Sequence, residues 1–156
     1  MTTAEFIVHA LTERSLTIAC AETLTGGGIA QALIRVPGSS RVLGMGVVAY
    51  SDQAKVEVLG VDLETIRRYG AVSEESAQKM AEGIAAVAHA DLGLAVTGIA
   101  GPGGGSLEKP VGTVCFALKM PSSTITRTCH FGNLGRDAIM DRSVQTALEL
   151  VEEYIK

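Results

Sequence analysis

The chain has 156 residues, 47% of them hydrophobic, and a formal net charge of −4, which fits one domain large enough to bury a core without staples. No apolar run approaches the roughly 20 residues of a bilayer span, and the 13 Lys and Arg are scattered among 17 Asp and Glu, leaving no basic stripe for a nucleic-acid backbone. Membrane and nucleic-acid partners are therefore not expected. Met1–Arg14, interrupted by Glu5 and Glu13, lacks the basic and apolar regions of an export signal, so the expected location is the cytoplasm.

Along the chain, Phe6, Ile7, Ala10 and Leu11 fall at helical spacing within Ala4–Leu11, and Ser15–Cys20 changes to a strand rhythm. Thr25–Ile34 returns to helix with Thr25 in N-cap position, and Pro37-Gly38-Ser39-Ser40 breaks it. Val42–Tyr50 predicts a glycine-bearing strand; Asp52–Leu59 and Asp62–Tyr69 predict short helices stopped by Gly60 and Gly70. Ser73-Glu74-Glu75 opens a longer helix through Ala88, with its acids at the end the helix dipole favours. Leu92–Val96 reads as a strand, Thr113–Lys119 and Thr124–Phe131 as a hairpin, and Arg136–Tyr154 as a closing amphipathic helix. Nothing divides this order, so residues 1–156 form a single domain. Strands alternating with helices, followed by a late hairpin, predict a three-layer α/β/α sandwich with a mixed sheet.

Cys20, Cys115 and Cys129 are widely spaced within apolar runs and read as buried reduced thiols, and His9, His89 and His130 form no ligand cluster. No metal site is expected. The chemistry concentrates elsewhere. Val96–Val114 carries Gly98, Gly101, Gly103, Gly104 and Gly105 between two strands. Glycines let a ligand approach the main chain, so that N–H groups converge on a phosphate or an oxyanion. Pro102 and Pro110 stiffen the run, but neither the G-x-x-x-x-G-K-[ST] nor the G-x-G-x-x-G spacing is present. In Ala19–Gly28, a strand runs into a helix start where Thr23, Thr25 and the amides near Gly26 lie at a positive helix end. For single residues the plainer readings stand alongside: Thr25 as a cap, Gly26–Gly28 as a close-packing stretch, and Glu22 as a rim carboxylate. In Gly46–Lys55 a second strand ends at Tyr50 and delivers Lys55 to the first turns of a helix. Lys55 is a surface charge or, if desolvated beside a hydroxyl, a general base.

Ala21-Glu-Thr-Leu-Thr-Gly-Gly27, Val36-Pro-Gly-Ser-Ser40, Gly46-Val-Val-Ala-Tyr-Ser-Asp-Gln-Ala-Lys55, Gly70-Ala-Val-Ser-Glu74, Thr97-Gly-Ile-Ala-Gly-Pro-Gly-Gly-Gly105 and Glu108-Lys-Pro-Val-Gly-Thr113 together resemble the C-terminal domain of the competence/damage-inducible CinA proteins. That domain also occurs as a stand-alone nicotinamide mononucleotide amidohydrolase, while larger members add an N-terminal molybdopterin-binding-like domain. The resemblance implies a five-stranded, mainly parallel mixed sheet, a homo-oligomer, and metal-free, cofactor-free hydrolysis of nicotinamide mononucleotide to nicotinic acid mononucleotide and ammonia. It places functional positions at Glu22, Thr23, Ser40, Tyr50, Lys55, Thr97 and Arg136. Thr23, Lys55 and Tyr50 are then the catalytic candidates. Glu22, Thr25, Gly26, Ser40, Thr97, Gly98, Gly101, Gly103, Gly104 and Arg136 are the substrate-binding candidates, with Arg136 suited to the 5′-phosphate.

One departure bears on the chemistry. Where the family usually reads Ala-Glu-Ser-Cys-Thr-Gly-Gly, this chain has Thr23 and Leu24. A threonine hydroxyl can attack a carbonyl, but its γ-methyl restricts χ1 and crowds the approach. The alternative expectation is a catalytically silent or altered-specificity homologue that binds pyridine nucleotides.

Overall fold

A computed structural model describes residues 1–156. Its elements are α1 (Thr3–Arg14), β1 (Ile18–Glu22), α2 (Gly28–Ile34), a 3-10 turn (Ser39–Arg41), β2 (Leu43–Val48), α3 (Asp52–Leu59), α4 (Leu63–Tyr69), α5 (Glu74–Ala88), β3 (Leu92–Gly98), β4 (Thr113–Lys119), β5 (Thr124–His130) and α6 (Arg136–Ile155). The sheet order is β2-β1-β3-β4-β5. β1 pairs parallel with β2 and β3, whereas β4 runs antiparallel to both β3 and β5. Four strands share one direction and β4 alone opposes them, so the five-stranded sheet is mixed as expected, with two parallel and two antiparallel pairings rather than mainly parallel ones.

Side-chain size along the strands sorts the two helical layers. Ile18, Cys20, Leu92, Leu94, Val96, Val114, Phe116 and Leu118 point to one face and pack with α1, α2 and α6. The alternate positions Ala19, Ala21, Ala95, Cys115 and Ala117 point to the other, against Leu59, Ile66 and the α5 residues Ala77, Met80, Ala81 and Ile84. Successive strand residues face opposite sides, so this large/small alternation makes one layer thick and lets α5 lie close on the other. A Cβ at Gly93 would stand 2.1 Å from the Ala81 carbonyl oxygen, and one at Gly83 would stand 1.9 Å from that of Leu59.

The helix expected from Thr25 starts three residues later. Residues 23–27 form a turn and α2 begins at Gly28, with Gly27 as its N-cap at φ 98°, a backbone that an L side chain adopts only under strain. Gly27 carries no capping oxygen, so the function expected of Thr25 passes to another residue described below. β1 lies some three residues later than expected, because Ser15 turns left-handed to end α1 and bends the chain before the strand. β2 stops at Val48, two residues short of the expected Tyr50. Cys20 and Cys115 are buried as expected; Cys129, on edge strand β5, is only half-buried. No helix is long and apolar enough to cross a membrane.

Candidate active site

β1, β2 and β3 run parallel, so Glu22, Val48 and Gly98 end at the same edge of the sheet. The order β2-β1-β3 reverses between β1 and β3, and ligands of open α/β sheets collect in the crevice at such a point. A cleft of about 290 Å³ opens there, lined by the β1–α2 turn, the start of α3, the α4–α5 turn, the glycine loop after β3 and the start of α6.

Glu22 builds the floor from behind. Its side chain is 1% exposed, and its carboxylate accepts from Thr25 Oγ1 at 2.6 Å, from the Ile29 N–H at 2.9 Å and from the Ala30 N–H at 3.0 Å. Ile29 and Ala30 lie in the first turn of α2, where backbone donors have no partner inside the helix. A carboxylate at the end of β1 therefore caps α2 in place of the missing Gly27 side chain, and Thr25 serves as its donor. Glu22, Thr25 and Gly26 shape the turn without lining the cleft.

The turn presents Thr23, which is buried and whose Oγ1 donates to the Val96 carbonyl on β3 at 3.0 Å. Across the cleft, Ser51 caps α3 through the Ala54 N–H, which sets Lys55 on the first turn facing inward. The Lys55 side chain is 4% exposed, yet its Nζ forms no hydrogen bond within the protein. Its nearest opposite charge is Asp52 Oδ1 at 3.9 Å. Burial lowers the Lys55 pKa from its ordinary 10.5, and the Asp52 carboxylate offsets part of that fall. Such a lysine is readier than a surface lysine to give up its proton.

The remaining wall is main chain. Gly101 has φ 80°, and a Cβ there would meet Val111 Cγ1 at 2.6 Å, so the loop can follow this path only with glycine. The N–H groups of Gly101, Gly103 and Gly104 donate to no group of the protein. Thr97 Oγ1 donates to the Ala71 carbonyl at 2.9 Å and ties the α4–α5 turn to the cleft wall. At the mouth, the exposed Arg136 guanidinium donates to the Gly101 carbonyl and to the Tyr50 hydroxyl, the latter at 2.9 Å. Tyr50 is 64% exposed and thus partners Arg136 rather than Lys55.

Thr23, Tyr50, Lys55, Thr97, Gly98, Gly101, Gly103, Gly104 and Arg136 therefore meet in one cleft. Ser40 does not; it stands on the 3-10 turn beside β2 and lines separate hollows. Asp52, Leu24, Ala71, Val72, Ile99 and Ala100 also line the cleft, though none was among the expected site residues. Asp52 reads in sequence as an ordinary acid in a helix's first turn. No group of His, Cys, Asp and Glu is arranged to hold a metal ion.

The fold is thus a mixed α/β/α sandwich with a glycine-walled cleft at a strand-order reversal, lined by a buried lysine and a buried threonine hydroxyl. The chain belongs to the CinA C-terminal domain family, whose profile matches residues 1–155. It is 46% identical over 151 residues to a CinA-like protein of Kosmotoga olearia, covering 97% of this chain and 36% of that protein. It is 43% identical over 152 residues to a CinA-like protein of Thermotoga neapolitana, covering 97% and 37%. The chain spans about a third of the length of these curated relatives. Among solved structures, the competence/damage inducible protein CihA from Agrobacterium tumefaciens superposes with a TM-score of 0.96 at 42% identity, over 99% of this chain and 94% of that one. A competence or damage-inducible protein from Enterobacter asburiae superposes with a TM-score of 0.94 at 34% identity, over 100% and 99%.

Proposed function

We propose that this domain is a cytoplasmic, homo-oligomeric amidohydrolase that converts nicotinamide mononucleotide to nicotinic acid mononucleotide and ammonia without metal or cofactor. The observation that carries the reading is Lys55, nearly enclosed, free of hydrogen bonds and set in the same cleft as the Thr23 hydroxyl. The choice of substrate rests on the resemblance to the stand-alone amidohydrolases. The Arg136 guanidinium at the cleft mouth suits it, offering a fork of donors for a phosphate.

In this mechanism neutral Lys55 takes the Thr23 proton, which first leaves the Val96 carbonyl. Oγ1 then attacks the carboxamide carbon. The oxyanion is met by open amides of the Gly101–Gly104 loop or of the β1–α2 turn. Collapse of the tetrahedral intermediate breaks the C–N bond, Lys55 returns the proton to the departing ammonia, and water then hydrolyses the threonyl ester. Arg136 exchanges its Tyr50 contact for the 5′-phosphate, and Thr97, Gly98, Gly103 and Gly104 complete the ligand's surroundings.

The second reading is a silent binder of the same nucleotide, favoured by the hydrogen bond that engages Thr23 with Val96 and by the crowding of its γ-methyl. One incubation separates them. Purified protein and nicotinamide mononucleotide should yield ammonia and nicotinic acid mononucleotide in equal amounts, undiminished by chelator. Thermal stabilisation by the nucleotide with neither product would establish the silent binder.

A further inference from the structure

Asp52 lies outside the set of positions that the family resemblance marks, yet it holds the carboxylate nearest the buried amine. We propose that Asp52 is a positioning residue for Lys55, holding its ammonium at the cleft wall so that the lysine keeps the proton it takes until the leaving group needs it. The inference rests on the amidohydrolase reading for its purpose, and on three observations for its geometry.

First, Asp52 and Lys55 are the first and fourth residues of α3, and positions three apart lie on one face of a helix. Secondly, Lys55 Nζ has no hydrogen-bond acceptor in the protein, so Asp52 Oδ1 at 3.9 Å is the counter-charge that orients it. Thirdly, no other carboxylate lines the cleft. The β1–α2 turn brings Thr23 and Leu24, β3 and its loop bring Thr97 and glycines, the α4–α5 turn brings Ala71 and Val72, and the further ionisable groups are Tyr50 and Arg136, which bond each other. Asp52 is therefore the acidic group that favours the ammonium.

The chemistry needs that balance. Enclosure alone would make Lys55 a weak holder of protons, good at accepting none for long, whereas catalysis asks it to take a proton from a hydroxyl and deliver it to ammonia. Asp52 is 60% exposed, so solvent screens the pair and the effect is moderate.

The test is the titration of Lys55, followed by NMR of protein carrying [6-13C]lysine, with the signal assigned by its absence in Lys55→Arg. In Asp52→Asn the Lys55 midpoint should fall by about half a unit, and in Asp52→Glu it should stay near the parent value. The acid-side limb of kcat/KM for ammonia release should move down by the same amount, and the plateau above the limb should fall below the parent's, because the less basic lysine is the weaker proton acceptor. A Lys55 midpoint unmoved or raised in Asp52→Asn overturns the proposal, whether or not the variant loses thermal stability through its helix end. A parent that releases no ammonia defeats the amidohydrolase reading instead, and the titration by itself then decides the role of Asp52.

Discussion

Replacement of Glu22 by Gln tests whether the β1–α2 turn is held by a capping carboxylate. Gln fills the same space but offers one acceptor oxygen, while its amide nitrogen would face a donor where Glu22 now accepts from Thr25 Oγ1, Ile29 N–H and Ala30 N–H. At least one charge-assisted hydrogen bond is lost and one buried donor is left without an acceptor. Bonds to charged groups contribute about 1.5–3 kcal/mol, and an unsatisfied buried donor costs about 1–3 kcal/mol. With overlap between the two, Glu22→Gln should destabilise the fold by roughly 3 kcal/mol. At about 2–4 °C per kcal/mol for a chain of this size, Tm should fall by about 6–12 °C in differential scanning calorimetry. A Tm within about 2 °C of the parent would refute the capping argument. If nucleotide-induced stabilisation were lost at the same time, Glu22 would instead be a ligand contact, as its place in the motif first implied.

Thr23→Ala should bind nicotinamide mononucleotide yet release almost no ammonia, and Thr23→Ser should equal or exceed the parent because it removes the γ-methyl; an active parent unaffected by Thr23→Ala would move the nucleophile elsewhere. Lys55→Arg and Lys55→Ala should both abolish turnover with the fold retained, since arginine keeps the charge but does not act as a base near neutral pH, and near-normal rates in Lys55→Arg would make Lys55 a mere cation. For parent protein, kcat/KM should rise with pH through a midpoint below 10.5, because burial favours neutral Lys55. Glu74, held below its ordinary 4.5 by the hydroxyls of Thr126 and Thr128, contributes stability that is present above that value and lost as pH falls through its lower folded-state pKa. The gap in urea midpoint between parent and Glu74→Gln should therefore be larger at pH 7 than near pH 3, and an equal gap at both would contradict the assignment.

Much of this protein was legible in one dimension. α3 and β4 occupy the residues the sequence predicted, and α5 begins at the predicted serine cap, because each is bounded by local chemistry: Ser51 and Gly60, Pro110 and Pro121, Ser73. The glycine loop announced itself, since a main chain that must present its amides can be built from few other residues. What the sequence could not show was the work done by contacts between distant residues. Glu22 gained its role in capping α2 only when that helix came to rest on it seven and eight positions later. Tyr50 found Arg136 across 86 residues, and Ser40, in a motif of its own, was carried to another surface by the 3-10 turn. Asp52 gained its meaning only when Lys55 turned inward and lost every other partner. Propensities, caps and turns act within a few residues and are written in order along the chain, whereas burial and charge pairing depend on which segments the sheet brings side by side, and three-dimensional packing alone decides that.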